Sequence, residues 1–350
     1  MRISHLLVAL FLLAGLCLLG EMVWHVGMTD LLTSFGAVGW WMVPWILLES
    51  VPVVLHTAGW AVCFPPRHQA VSFWHLALVR LAGSAINQVT PTATLGGELV
   101  KVLLLEATVP RAAVTATVVI DKTSATLAQS VYLALGTWYL TGRLPLPVTV
   151  QRGLGLTVGL LTLGVGSFVV VQRYGFLSKL LGWLSACKIC RARLERWRQH
   201  LLPLEASLAA YYMAHPWRFG LSLGLHGSAF VFNSLQTFLA LRLLLGAGAP
   251  SVAEAILVTS AVAALDQVFF FVPGGLGTAE GVRFAMLSTL GVAQVSGLAF
   301  GLMARLEGLV WNGCGLLAYA WYTRPWCGLR RVQAIASSSP SLPRRRGKRP

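Results

Sequence analysis

The 350 residues include 27 Lys and Arg against 12 Asp and Glu, a formal charge of +15, yet only 11% are charged, 56% are apolar and mean hydropathy is +0.70. A soluble domain carries about a quarter charged residues, so the solvent this chain requires is the bilayer. The basic excess lies in loops, where the positive-inside bias accounts for it, and nucleic acid is not an expected partner.

In chain order, the apolar run at residues 6–26 stands behind Arg2 without a small-residue cleavage site and reads as a retained anchor. The runs at 36–62, 112–140 and 154–171 approach or exceed the ~20 residues a helix needs to cross the hydrocarbon. Residues 63–111 begin near Arg67 and end at Arg111, and Asn87, Pro91, Gly96 and Gly97 break their short apolar runs. A re-entrant hairpin fits that stretch better than two full spans. In the loop at 173–203, Arg173, Lys179, Lys188, Arg191, Arg193, Arg196 and Arg198 are opposed only by Glu195, which places it in the cytoplasm. The interleaved Leu177, Leu180, Leu181, Trp183, Leu184, Trp197 and Leu201 fit a helix lying on the membrane.

The second half offers an outward span at 217–245, runs at 252–272 and 284–303 flanking another broken segment, and a final span at 306–321. The short loops at 27–35 and 246–250 hold no Lys or Arg and are assigned outside. Two topologies satisfy the parity: the middle pair are full spans, or they form a second hairpin dipping in from outside. The second makes 217–321 an inverted copy of 36–140. The tail at 324–350 is basic and too poor in apolar residues for a core, so it is expected to be disordered in the cytoplasm. The expected fold is all-α: one polytopic membrane domain over 1–323 with both termini cytoplasmic, about six to eight spanning helices and one or two re-entrant hairpins.

A motif supports the copy. PTATLGGELVK starts at Pro91 and PGGLGTAEGVR at Pro273, so Pro91, Glu98 and Lys101 correspond to Pro273, Glu280 and Arg283. Each follows an apolar run carrying a polar pair, Asn87-Gln88 or Asp266-Gln267. Proline and clustered glycine (Gly96 and Gly97, or Gly274, Gly275 and Gly277) free backbone groups that survive in a membrane only where protein or a water-filled cavity satisfies them. Half-helix amino termini meeting at depth can cradle an anion, and Lys101 and Arg283 would reinforce that attraction. The plainer alternative is that the glycines permit close helix packing while Glu98 and Glu280 cap their helices or pair locally with Lys101 and Arg283 at i,i+3 spacing.

Asp121 and Lys122 stand inside a long apolar run, where Asp121 is a candidate partner for a cation on another element and Lys122 can snorkel toward the inner headgroups. The alternative places both at the interface. Arg305, Glu307 and Arg242 read as interfacial, although Arg305 or Glu307 could instead face the cavity. Of the 6 cysteines only Cys187 and Cys190 form a CxxC, which cannot complete a four-ligand zinc site, and the histidines show no metal-ligand spacing. His25, His56 and His226 are read as packing or interfacial residues, and no metal or cofactor is expected.

The blocks NQVTPTATLGGELVKVLLLE at 87–106, VVIDKTSATLAQ at 118–129 and FVPGGLGTAEG at 271–281 resemble the flippase-like family related to the transmembrane region of lysylphosphatidylglycerol synthetases, over most of the chain. Asp121 and Gln129 look more like members associated with hopanoid biosynthesis. The resemblance implies a lipid-handling membrane domain of a bacterial inner membrane, in some relatives tied to moving a lipid between leaflets. Bifunctional relatives carry a soluble aminoacyltransferase domain after the membrane region; here some 27 residues follow the last run, and lysyl transfer is not expected. No GxxxxGK[ST] occurs, so neither is ATP hydrolysis.

These readings converge on transbilayer movement or presentation of an amphipathic lipid with a polar or anionic headgroup. The cavity would be lined by Asn87, Pro91, Gly96, Gly97, Glu98, Lys101, Asp121, Asp266, Gln267, Pro273, Gly274, Gly275, Gly277, Glu280 and Arg283. The competing reading is a non-transporting membrane partner of a lipid-biosynthetic enzyme.

Overall fold

The computed structural model describes residues 20–24, 26–65, 71–90, 95–143, 148–174, 191–268 and 277–324, and every regular element among them is helical. Most of the first apolar run, Pro91, Pro273, Gly274 and Gly275, the Cys187–Cys190 pair, His25 and nearly all of the basic tail lie outside the described residues.

Helix α1 (Met28–Val38) starts after Gly27, whose φ of 91° ends the preceding helix, and leads through the 3-10 turn Gly39–Trp41 into α2 (Met42–Leu48) and α3 (Ser50–Val62). The loop expected at 27–35 is therefore mostly helix. The absence of Lys and Arg that placed it outside is equally true of an apolar helix, and proline first appears at Pro44. Met28–Val62 is one apolar stretch of 35 residues, and Pro216–Gly248, built of α9 (Pro216–Leu245) and a 3-10 turn, is another of 33; both are long and apolar enough to cross a bilayer.

After each long stretch comes the same sequence of lengths. α4 (Phe73–Val89), α5 (Leu95–Leu105) and α6 (Arg111–Arg143) have 17, 11 and 33 residues; α10 (Val252–Val268), α11 (Thr278–Thr289) and α12 (Gln294–Thr323) have 17, 12 and 30. At 1.5 Å per residue, α5 and α11 reach only about 17 and 18 Å, short of the ~30 Å hydrocarbon. The span expected at 284–303 is interrupted. Gly291 at φ 76° closes α11, Val292 N–H bonds back to Leu287 O at 3.0 Å, and α12 then runs unbroken through the residues assigned to a separate last span. Apolar composition is continuous across 290–293, but one residue that adopts a left-handed conformation is enough to turn the chain.

Between the halves lie α7 (Val148–Tyr174) and α8 (Arg191–Ala214). The second half of α8 docks on the bundle through buried Leu208, Tyr211 and Tyr212, and Tyr212 Oη donates to Gln172 Oε1 at 2.7 Å. Of the helix expected to lie on the membrane, residues 177–190 and the side chains of 191–201 lie outside the described residues; the packed residues of α8 follow it in the chain.

The larger buried cluster joins Trp60, Val79, Leu105, Val114 and Ile120 from α3 to α6 with Tyr211 and Tyr212 of α8. The second centres on Leu241, Leu257, Leu287, Phe300 and Met303, and borrows Val38 and Trp45 from the amino-terminal helices. Trp45 Nε1–H donates to Gln236 O at 3.0 Å, and the Gln236 amide donates back to Trp45 O at 3.3 Å. Hydrophobicity does not discriminate helix from lipid, so the closest contacts occur where side chains are absent. A Cβ on Gly315 of α12 would lie 2.3 Å from Leu81 O of α4.

Candidate functional site: two buried charge clusters

The first cluster begins at the gap between α4 and α5. Asn87, near the end of α4, accepts a hydrogen bond from Gly97 N–H at 2.6 Å and satisfies a first-turn donor of α5 that has no intrahelical partner. The two helices touch backbone to backbone, since a Cβ on Gly97 would stand 2.0 Å from Gly83 O. Both roles, polar capping and glycine contact, come from residues expected at the broken segment.

One turn further, Glu98 and Lys101 form the local i,i+3 pair, with Nζ donating to Oε2 at 2.8 Å. Lys101 is 4% exposed, and its ammonium lies 5.5 Å from the centroid of the Trp60 ring. It also approaches Asp121 Oδ2 of α6 at 3.9 Å. Asp121, 1% exposed, is the hub: Arg80 Nη1 of α4 donates to both its oxygens at 3.2 and 3.0 Å, and His226 Nε2 of α9 lies 3.1 Å from Oδ1. His226 Nδ1 in turn meets His56 Nδ1 of α3 at 2.6 Å. Lys122, its side chain 46% exposed, faces Glu98 Oε1 at 3.8 Å.

Asp121 and His226 are each the eleventh residue of helices that open beside basic residues, Arg111 and Arg218. That sets the cluster about 15 Å along each helix from its first residue. Isolated charges there are costly, which is why every one of these has an opposite charge or hydrogen-bond partner. Arg80, Lys101 and Lys122 stand against Glu98 and Asp121, so with neutral histidines the cluster holds one cation in excess.

The second cluster is built on Glu280 of α11, which is 0% exposed. One carboxylate oxygen accepts from Gly277 N–H at 2.9 Å, and the other from Arg305 Nε of α12 at 2.5 Å. Gly277, at φ 79°, makes the turn that allows this. The cation of Glu280 is thus Arg305, not Arg283, whose guanidinium lies 5.9 Å from the Phe300 ring centroid. Because the Glu280 side chain points back toward the start of its helix to cap it, a cation one turn toward the carboxyl end is on the wrong side. Arg305, read as interfacial, is half-buried, and Glu307 beside it accepts from the Gln236 side-chain amide. The two clusters have a shared plan: Lys122 and Arg305 are each the twelfth residue of the long helix that follows the short one, and each faces that short helix's glutamate.

Of the expected residues, Asn87, Gly97, Glu98, Lys101 and Asp121 come together in the first cluster, and Gly277 and Glu280 in the second. Gly96 is on α5; Asp266 and Gln267 stand at the end of α10, with side chains outside the described residues. Arg80, His56 and His226 were not expected at a site. Arg80 had a signal, being the only Lys or Arg in the apolar run that became α4, where an intramembrane charge is a site hypothesis by default. The histidines had none, since their partners are on other helices.

All-helical architecture among the described residues and apolar stretches long enough to cross a bilayer are those of an integral membrane protein. The sequence model of the lysylphosphatidylglycerol synthase transmembrane region matches residues 4–311, and the chain belongs to that family of membrane lipid-related proteins. No curated protein and no solved structure matches it.

Proposed function

We propose that the protein moves, or presents for movement, an amphipathic lipid with an anionic headgroup, and that the headgroup is received at the Arg80–Lys101–Asp121 cluster. The observation that carries this reading is a largely buried group of three cations against two carboxylates, with Lys122 partly exposed at its edge. Two helices too short to span, each preceded by a proline and opening on glycine, support re-entrant hairpins entering from opposite faces, with Glu98 and Glu280 holding their inner ends. The proposal places the chain in a bacterial inner membrane with both termini cytoplasmic, includes no enzymatic step, and takes a hopanoid-associated lipid as one candidate substrate alongside phosphatidylglycerol.

The test is movement of fluorescent phosphatidylglycerol and candidate hopanoids between leaflets of proteoliposomes. Transfer that falls on Lys101→Ala and Lys122→Gln supports the reading. Purified protein that moves none of these lipids under gradients of either sign overturns it. A second reading, a non-transporting partner that holds a biosynthetic enzyme at the membrane, draws on α8, whose amino-terminal half carries the basic stretch from Arg191 to Arg198 while its carboxyl-terminal half is anchored in the core. Enzyme capture that depends on this stretch and ignores Glu98 and Glu280 would favour it.

A further inference from the structure

We infer that His56, His226 and Asp121 form a proton-accepting relay that couples occupancy of the anionic headgroup site to one proton; this rests on the headgroup reading above. The two imidazoles meet Nδ1 to Nδ1 at 2.6 Å, a contact that requires one hydrogen between two nitrogens. An ionised Asp121 only accepts, so His226 Nε2 carries a hydrogen toward it. In the neutral pair His226 Nδ1 is then a lone pair, and His56 supplies the shared hydrogen from its Nδ1. That leaves His56 Nε2 as the free basic nitrogen.

The two ends of the chain differ in exposure. His226 is 0% exposed and pressed against Gly59, where a Cβ would lie 2.8 Å from Nε2; His56 is partly exposed, with its ring edge-on to Phe230 at 5.5 Å. A proton arriving at His56 Nε2 forms an N–H bond there, the His56 Nδ1–H bond breaks, and that hydrogen passes to His226 Nδ1. The product is a His226 imidazolium donating to Asp121 and to a neutral His56. One proton has been gained and no other bond changed.

The consequence is local. Around His226 stand His56 from α3, Cys63 just past its end, Arg80 from α4, Lys101 from α5 and Asp121 from α6. Tyr211 of α8 is near its first turns, and Glu307 of α12 is bonded to Gln236 farther along α9. On α10, Glu254 is bonded to Ser251 and Asp266 stands at the far end. The immediate shell has one carboxylate shared among Arg80, Lys101 and His226. A charged His226 competes for it, weakens its hold on Lys101, and leaves the cluster with a further positive charge that an anion neutralises. Proton and singly charged headgroup therefore bind in mutual support, as linkage requires. Their joint passage moves no net charge.

The test uses the full-length protein with phosphatidylglycerol. In detergent and weak buffer, phosphatidylglycerol binding is expected to take up one proton per lipid. In proteoliposomes, transfer is expected to accelerate under a pH gradient and to ignore a potassium-valinomycin potential. Both proton effects should vanish in His226→Asn and in His56→Phe; the latter keeps the ring packed on Phe230 and guards against a folding failure at the buried site. Binding without proton uptake, or a pH-gradient response that survives in a folded His56→Phe protein, overturns the relay and leaves the headgroup reading standing. Absence of lipid binding overturns both.

Discussion

Asp121 and Arg80 meet across α6 and α4 with one guanidinium nitrogen bonded to both carboxylate oxygens, at 3.2 and 3.0 Å. Removing Arg80 takes from the buried Asp121 its nearest cation and leaves it only Lys101 at 3.9 Å and the His226 hydrogen bond, and removing the Asp121 charge takes from Arg80 the carboxylate it donates to. Arg80→Ala and Asp121→Asn should each destabilise the detergent-solubilised protein by about 3 kcal/mol, and the double substitution by less than their sum. Thermal unfolding of the four proteins completes the cycle; additive losses would show that the pair is not coupled.

Gly97 and Gly83 fix the crossing of α4 and α5. With 2.0 Å between a Cβ on Gly97 and Gly83 O, Gly97→Val must separate the helices, at a cost of about 1–3 kcal/mol. The shift carries Lys101 away from Asp121, so lipid transfer should fall with stability. Gly224→Ala, where a Cβ meets nothing within 4 Å, is the matched control and should change neither.

Asn87 holds the start of α5 through an acceptor oxygen. Asn87→Ala should cost about 1 kcal/mol, the usual price of losing a helix cap, while Asn87→Asp keeps the acceptor and should unfold closer to wild type. Equal melting temperatures for all three would show that the Gly97 N–H is satisfied in another way.

Glu280 has both oxygens bonded and no exposure. Arg305→Ala strands that carboxylate and should destabilise by about 3 kcal/mol, whereas Arg283→Ala, which leaves the pair intact, should cost under about 1 kcal/mol. A larger effect from Arg283 would return the local i,i+3 pairing to consideration.

The amino-acid sequence by itself determined the solvent, the helical class and the family, because bilayer insertion sums the polarity of neighbouring residues and each apolar run is complete in itself. It also marked the breaks before α5 and before α11 and the local Glu98–Lys101 pair, since these depend on residues within a turn or two. Only the tertiary structure decided the rest. Asp121 finds Arg80 at 41 positions' distance and His226 at 105, and nothing local marks either as a partner. The loop expected at 27–35 and the span expected at 284–303 failed for a related reason: hydropathy reports depth, whereas a glycine's backbone angle decides where a helix stops. Glu280 chose Arg305 over its nearer neighbour because its carboxylate is turned back toward Gly277, and Arg305 stands on that side only once α11 is packed against α12.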